Sequence, residues 1–417
     1  MSKLDDLINK FCPDGVEYKT LGELGEFYGG LTGKGKNDFI DGNAKFITYM
    51  NVYKNLKLKL DVPEKVKINP GEKQRTLEYG DVLFTGSSET PDECGISSVL
   101  ADKTDEKLYL NSFCICFRFN DPTIFNPEFS KYLFRSQELR VQIGKTASGV
   151  TRFNVSKEKM KKVIVPIVPL EIQNEIVHIL DNFTELEEEL EEELVARRKQ
   201  YEYYRDSLLS FDDSVEWKTI GDITNVFSAK RVYRDQWQKQ GVPFWRSSDL
   251  ISFFNGVENT RGKAYISEEL YESLAAISGK IQKDDILITG GGTIGIPYIV
   301  PTNDPLYVKD GDLLCIQHND FLDSRFLYHY FLSGQFRKYL SEITHDATIA
   351  HYTIIQIRNT PVPIPNLEKQ KMIATVLDRF EALCNDITSG LPAEIEARHK
   401  QYEYYRDKLL TFKRKSA

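Results

Sequence analysis

The sequence predicts an α/β (α+β) chain: two strand-rich globular domains separated by two long antiparallel coiled-coil helices, arranged as a pseudo-two-fold internal repeat. Three observations carry this reading. The octapeptide KQYEYYRD occurs at 199–206 and again at 400–407. The match extends around it: RKQYEYYRDSLLSF (198–211) faces HKQYEYYRDKLLTF (399–412), LEIQNEIVHILDNF (170–183) faces LEKQKMIATVLDRF (367–380), and VEYKTLGEL (16–24) faces VEWKTIGDI (215–223). Between these anchors similarity fades but order persists, with GDVLFTG (80–86) facing DDILITG (284–290) and YLFRSQELR (132–140) facing HYFLSGQFR (329–337). A chain of 417 residues exceeds one ordinary core. The predicted parts are a first domain at 1–165, a central helix at 166–211, a second domain at 212–362 and a C-terminal helix at 363–417.

The helices follow from spacing. Phe183, Leu186, Leu190, Leu194, Tyr201, Tyr204, Leu208 and Phe211 recur mostly at steps of 3 and 4, with Arg197 in the open slot. The second copy runs Phe380, Leu383, Ile387, Leu391, Ile395, Arg398, Tyr402, Tyr405, Leu409, Phe412. Its four extra residues fall around Ser389-Gly390-Leu391-Pro392, where Gly and Pro predict an interruption and restart of the helix. Two matched seams predict antiparallel pairing. The globular parts alternate short apolar runs (KFITYM, DVLFTG, FCICFRF; PFWRS, DDILITG, DLLCIQ) with Gly, Asn, Asp and Pro. One amphipathic helix is predicted late in each, at about 126–143 and 322–341. The prolines of KKVIVPIVPL and NTPVPIPNL predict irregular joints before each long helix.

Bulk properties exclude several classes. No apolar run approaches a membrane span, and the start MSKLDDLINKF lacks an apolar signal core. Six scattered cysteines without a CxxC pair argue against a disulfide framework or zinc site and fit a reducing cytoplasm. The net charge of −8 argues at first against nucleic acid, but ten carboxylates and no Lys or Arg lie between Glu171 and Glu193, leaving +2 for the rest. Local basic clusters can therefore attract phosphate while the acidic helix repels it.

The motifs that look catalytic are weak. Gly290–Gly295 spells GxGxxG, but IPYIVP follows where a dinucleotide fingerprint needs a helix, so a glycine turn between strands is expected. Asn126-Pro127-Glu128-Phe129 reads as a helix start rather than a methyltransferase motif. Pro91-Asp92 with Asp105-Glu106-Lys107 only loosely fits a nuclease pattern. No Walker loop, HExxH, GxSxG or metal cluster is legible, so no catalytic residues and no metal ligands are assigned.

The KQYEYYRDxLLxF ends, the PxxPLExQxxIVxxLDxF-type helix starts and LPAEIEARHKQYEYYR at 391–406 closely resemble the specificity (S) subunit of type I restriction-modification systems. The resemblance covers essentially the whole chain, specific in the helical regions and weak in the globular ones, which in that family are target recognition domains that vary with the DNA sequence read. It implies a non-catalytic subunit that recognises a bipartite site in double-stranded DNA and docks two modification (methyltransferase) subunits and restriction subunits. The cofactors, S-adenosylmethionine, ATP and Mg2+, then belong to those partners and none to this chain. The alternative is a self-contained nuclease or methyltransferase built on the weak motifs. A helix from about 170 to 211 measures roughly 60 Å, near the roughly 70 Å of two B-DNA turns. The repeated tetrad at Leu186–Glu189 and Leu190–Glu193 then suggests that the number of LEEE units sets the spacer between half-sites.

Base reading needs Arg, Lys, Asn, Gln, Ser or Thr on reaching loops. The first domain offers Lys34, Lys36, Asn37, Thr48, Asn51, Ser87, Ser88, Ser148, Thr151, Arg152 and Asn154. The second offers Lys230, Arg231, Arg234, Arg246, Ser247, Ser248, Thr293, Thr348 and His351. The repeated octapeptide supplies candidate partner-docking residues Tyr201, Tyr203, Tyr204 and Arg205, matched by Tyr402, Tyr404, Tyr405 and Arg406.

Overall fold

A computed structural model describes residues 3–212, 214–254, 262–344, 351–386 and 388–415. Contacts divide the chain inside its helices rather than at their ends. One compact unit is Met1–Leu190 with Ile395–Ala417, the other Glu191–Glu394. Each unit therefore combines one globular body with segments of both helical regions.

In the first unit a four-stranded antiparallel sheet runs in the order Gly25–Gly29, Cys114–Phe119, Val82–Thr85, Ser97–Val99. Val82–Thr85 is buried at every position, which is why it reads as a continuous apolar run. Its side chains alternate between two cores. Val82 and Phe84 join Phe129, Leu133 and Phe134 against Ile172, Ile176 and Leu180 of the long helix, while Leu83 faces Tyr28, Ile47 and Val52. The second unit repeats this with Val226–Ser228, Leu313–Ile316, Ile286–Thr289 and Pro297–Ile299. Ile286 and Ile288 meet Phe326, Phe331 and Ile373, while Leu287 joins Phe244 and Leu250. Beside each large sheet lies a smaller one containing a parallel pair, Ala44–Ile47 with Tyr109–Leu110 and Val242–Trp245 with Tyr307–Val308.

The long helix is continuous from Leu170 to Leu208, and its counterpart is two helices, Leu367–Asn385 and Leu391–Leu409. The predicted break is real and has a cause. Asp386 accepts from Thr388 and Ser389, and these bonds hold its carboxyl down to about 2. Gly390 donates to the Asp386 carbonyl, and a Cβ there would lie 2.6–2.8 Å from the carbonyl oxygens of Ala382, Asp386 and Leu383. Ile387 of the predicted seam lies outside the described residues. Within the first unit Phe183 stacks on Tyr405 with ring centroids 5.3 Å apart and Glu187 lies 3.4 Å from His399, so the two segments run antiparallel. Within the second, Tyr204 stacks on Phe380 at 5.4 Å in the same way.

Three expectations are corrected. Each late amphipathic helix is two helices, Pro127–Leu133 with Gln137–Gly144 and Ser324–Leu332 with Gly334–Thr344. Ser136 and Ser333 break them by turning their hydroxyls back onto the Leu133 and Tyr330 carbonyls. The proline-rich joints are paired edge strands, Ile164–Ile167 with Glu17–Thr20 and Pro361–Pro363 with Trp217–Thr219, positions where a missing N–H is tolerated. The second domain also carries a helix at Glu268–Ser278 that its run of strand-like segments did not suggest. No helix among the described residues is long and apolar enough to cross a membrane.

In the first unit the edge ribbon is closed by residues far apart in sequence. Val16 donates to the Lys413 carbonyl at 2.8 Å and Lys415 to the Val16 carbonyl at 2.9 Å. Gly15, at φ +101°, lets these backbones approach, since a Cβ would sit 2.5 Å from the Lys413 oxygen. In the second unit the same join, from Phe211 to Trp217, is continuous chain.

Candidate nucleic-acid interface

The first unit presents a cleft of about 780 Å³ whose lining includes Tyr49, Met50, Tyr53, Ser87, Ser88, Glu89, Glu93, Phe113, Thr151 and Arg152. Thr48 starts the helix Tyr49–Lys54 by accepting from the Asn51 amide, which sets Tyr49 and Tyr53 one turn apart, stacked at 6.1 Å. Antiparallel pairing of Ser87–Ser88 with Phe153–Asn154 brings Arg152 in. Arg152 donates to the Ser87 hydroxyl at 3.2 Å and lies 5.4 Å from the ring of Phe113, which is 55% exposed. Glu93 accepts from Ser88 and Tyr53, each at 2.8 Å, which holds its carboxyl below the usual range and pushes the Tyr53 phenol up.

The second unit has the equivalent cleft, about 730 Å³, lined by Arg234, Trp237, Arg246, Ser247, Ser248, Ile251, Gly291, Gly292, Lys309 and Asp312. Arg246 precedes the helix Ser247–Phe254 and is clamped by both oxygens of Asp249 at 2.7 and 2.9 Å, which raises its already high pKa. Its guanidinium lies 5.6 Å from the Trp237 ring. Ser247 donates to the Asp312 carbonyl, and Lys309 pairs with the Asp312 carboxylate at 2.8 Å. Ser248 Oγ and Trp237 Nε1 are buried with no hydrogen-bond partner among the described residues. The Gly290–Gly295 segment is the expected turn between strands, with Gly292 and Gly295 at φ 75° and 74°.

The parallel pairs Phe46–Tyr109 and Phe244–Tyr307 fix the correspondence between the clefts. Tyr49, Met50 and Tyr53 stand where the second cleft has Ser247, Ser248 and Ile251. Likewise Phe113 stands where it has Asp312, because Thr85 pairs with Cys114 as Thr289 does with Leu313. One backbone site thus carries two different linings.

The candidate readers do not all gather there. Ser87, Ser88, Thr151 and Arg152 line the first cleft, and Arg234, Arg246, Ser247 and Ser248 the second. Asn51 is buried, with its amide and carbonyl engaged by the Lys59 backbone, and Thr48 is a helix cap, so both have scaffold positions. Lys34 is turned into its own loop, paired with Glu72 at 2.6 Å and holding that carboxyl down to about 2. Lys36, Asn37, Ser148, Asn154, Lys230, Thr293 and His351 are exposed outside the cleft linings, and Arg231 pairs with Asp310 at 3.1 Å. Thr348 lies outside the described residues. Tyr49, Tyr53, Glu89, Glu93, Phe113, Trp237 and Lys309 were not singled out from sequence. Most adjoin stretches that were, and only helix register and strand pairing show which side chains face the cleft.

The repeated octapeptide serves its own unit at most positions. Tyr201 is buried with its hydroxyl 3.2 Å from His329 Nδ1, and Tyr402 is buried 6.2 Å from the Tyr132 ring, where burial pushes its phenol up to about 12. Tyr204 and Tyr405 stack across the helix pair, Arg205 and Arg406 cover Tyr201 and Tyr402 at 5.5 Å, and Asp206 and Asp407 accept from the backbone N–H of Gly334 and Gln137, the first residues of two helices. Tyr203 and Tyr404 remain outward, 69% and 61% exposed. Tyr201 and Tyr402 therefore act inside the fold.

Among the described residues, one group, His329, Asp378 and Glu381, brings potential metal ligands within 4.8 Å. Its bonds close without an ion: His329 Nε2 meets Asp378 at 2.7 Å, Arg325 adds a second partner to Asp378 at 2.9 Å, and Glu381 accepts from Tyr328 at 2.7 Å. The residues of the loose nuclease pattern separate: Glu106 pairs with Lys45, while Asp92 lines a cavity with Arg135 and Arg140. Asn126 caps the helix Pro127–Leu133, as its residue types predict.

Two clefts of one build and different lining, each set on a body that carries the same helical repeat, define a duplicated recognition protein. A family model for the type I restriction modification DNA specificity domain matches residues 13–196 and 213–397. A Haemophilus influenzae protein described as a type I restriction enzyme specificity subunit is 35% identical over 275 residues, 64% of this chain and 68% of that protein. The EcoR124I/EcoR124II specificity subunit of Escherichia coli is 33% identical over 270 residues, 62% of this chain and 65% of that one. The chain spans about two thirds of the length of each of these relatives. Among solved structures, a chain from a study of complex assembly in the type I R-M system superposes with a TM-score of 0.62 at 16% identity, covering 95% of this chain and 97% of that one. The S subunit of M. genitalium does so with 0.50 at 15%, covering 95% and 96%. Both share the fold. The chain belongs to the type I restriction-modification DNA specificity family. It is the DNA-recognising, non-catalytic subunit of such a system, which works through its other subunits.

Proposed function

We propose that each cleft reads one half of a bipartite, asymmetric site in double-stranded DNA, and that two methyltransferase subunits dock on the outward faces of the octapeptides around Tyr203 and Tyr404. Those subunits carry S-adenosylmethionine, restriction subunits carry ATP and Mg2+, and the assembly works in the cytoplasm. The observation that carries this reading is the pair of clefts: equivalent backbone positions hold Tyr49, Met50, Tyr53 and Phe113 in one and Ser247, Ser248, Ile251 and Asp312 in the other. A conserved catalytic site would need the same groups in both copies, whereas two readers of unlike half-sites need different ones. The readers proposed are Ser87, Ser88, Thr151 and Arg152 in the first unit and Arg234, Ser247 and Ser248 in the second, with the exposed Lys36, Lys230 and Arg231 on phosphates.

The test is to co-express the full chain with its methyltransferase subunits and map methylated bases across the host genome. One two-part motif with a fixed spacer is expected. Methylation confined to a single uninterrupted motif, or methylation unaffected by loss of this chain, would overturn the reading.

A further inference from the structure

We infer that both clefts fix a G·C pair but from opposite partners of it: Glu89 in the first cleft takes the cytosine, and Arg234 in the second takes the guanine. The inference rests on the proposed reading of the clefts and adds the base chemistry.

The first cleft is unsuited to a phosphate. Its lining holds two carboxylates, Glu89 and Glu93, against one guanidinium, Arg152. Glu93 is held ionised by Ser88 and Tyr53, and Arg152 is engaged by Ser87 and the Phe113 ring. Glu89 is exposed and has no ion pair or hydrogen bond among the described residues. A carboxylate is acceptor-only. In the major groove cytosine's own edge offers the N4 donor and no acceptor, while adenine's own edge sets its N7 acceptor next to its N6 donor. A free carboxylate therefore fits cytosine and is repelled by the N7 of a purine.

The second cleft carries the opposite charge. Lys309 is paired with Asp312 and Arg246 with Asp249. Arg234, exposed on the turn Arg234–Gln236 that Gln236 fixes by accepting from the Tyr233 amide at 2.8 Å, has no carboxylate partner among the described residues. It shares the lining with Trp237 Nε1 and Ser248 Oγ, neither of which has a hydrogen-bond partner among the described residues. A guanidinium fork matches the O6 and N7 acceptors of guanine.

The amide side chain separates the two assignments, because Gln prefers adenine through N6 and N7. Glu89→Gln should replace a cytosine by adenine at one position of one half-site, a transversion of the G·C pair. Arg234→Gln should replace a guanine by adenine in the other half-site, a transition. Discrimination at each position should fall by about 10- to 100-fold, with the rest of the motif intact. The measurement is genome-wide mapping of methylated bases with each full-chain variant in its native complex. Glu89→Ala and Arg234→Ala stand in where an amide variant fails to assemble, and each should relax its single position toward all four bases. The inference is overturned if the relaxed position is an A·T pair, if transition and transversion are exchanged, if both changes fall in one half-site, or if methylation drops at every site with no base relaxed. Those outcomes leave the two-cleft reading standing. That reading fails separately if the unaltered chain directs no bipartite motif.

Discussion

Tyr201 and Tyr402 occupy the same place in the same octapeptide, yet removal of their hydroxyls should have opposite consequences. In the second unit, His329 is fully buried and its Nε2 lies 2.7 Å from the Asp378 carboxylate, which places a proton on Nε2 and leaves Nδ1 to accept from the Tyr201 hydroxyl at 3.2 Å. Tyr201→Phe removes that donor and strands a buried acceptor, a cost of about 1–3 kcal/mol. In the first unit the ring opposite is Tyr132, whose hydroxyl is taken by Asp181 at 2.7 Å, and the Tyr402 hydroxyl is buried with no hydrogen-bond partner among the described residues. Tyr402→Phe keeps the ring contact and removes an unsatisfied group, so its effect should lie between zero and a gain of about 1 kcal/mol. A chain of two units has no single unfolding free energy, so the assay is amide hydrogen exchange resolved by segment. At about 1.4 kcal/mol per tenfold, Tyr201→Phe should speed exchange of Ser324–Leu332 by roughly 5- to 150-fold. Exchange of Pro127–Leu133 should not rise in Tyr402→Phe. Equal losses in the two variants would refute the reasoning, because they would mean that both hydroxyls are equally bonded.

The other expectations test the caps, the break and the strut. Asp407→Ala should loosen the start of the helix Gln137–Gly144 by about 1 kcal/mol, and Asp407→Asn, which keeps the acceptor, should restore most of it; hydrogen exchange at Gln137–Arg140 distinguishes a cap from the Arg406 ion pair, which Asn would not restore. The Asp386 carboxyl lies below its ordinary 3.8, so its contribution to the break between the two C-terminal helices is present above about pH 4 and lost as pH falls through about 2; a titration of that carboxyl by NMR with a midpoint at its ordinary value would contradict this. Deletion of Leu190–Glu193 shortens the long helix by about 6 Å and should shorten the spacer of the methylated motif by about two base pairs, and an unchanged spacer in the mapped motif would refute the role of the LEEE units.

The parts legible in the sequence were those whose signal is local or repeated. The break at Gly390 was visible because Gly and Pro act through their own backbones, and the helix 170–208 because its apolar steps persist over many turns. The missed breaks at Ser136 and Ser333 join a local bond, the hydroxyl turned back onto its own helix, to a distant cap. Each following helix begins on an amide capped by Asp407 or Asp206, contacts 270 and 128 residues apart in sequence. The clefts were half legible for the same reason. Ser87 and Arg152 could be picked by residue type, but which neighbour faces inward depends on the pairing of Ser87–Ser88 with Phe153–Asn154. Asn51 shows the converse, a residue of the right type that the register turns into the scaffold.

That long reach explains why the octapeptide is repeated without a change. A short motif is free to drift when it serves one contact. This one serves several at once: Tyr201 or Tyr402 seals the body beneath it, Tyr204 or Tyr405 locks the neighbouring helix, and Asp206 or Asp407 opens a helix in the globular body. Two bodies of equal build need the same set of contacts, and the opposing tyrosine and histidine, Tyr132 and His329, show that the bodies themselves differ at the joint while the octapeptide does not. The docking of partner subunits proposed above can then select only what the fold leaves outward. Of the three tyrosines in each copy, that is chiefly Tyr203 and Tyr404, each bearing on the neighbouring tyrosine ring at 5.5 and 5.3 Å. Substituting this pair should weaken assembly without loosening either body, the reverse of what substitution of Tyr201 should do.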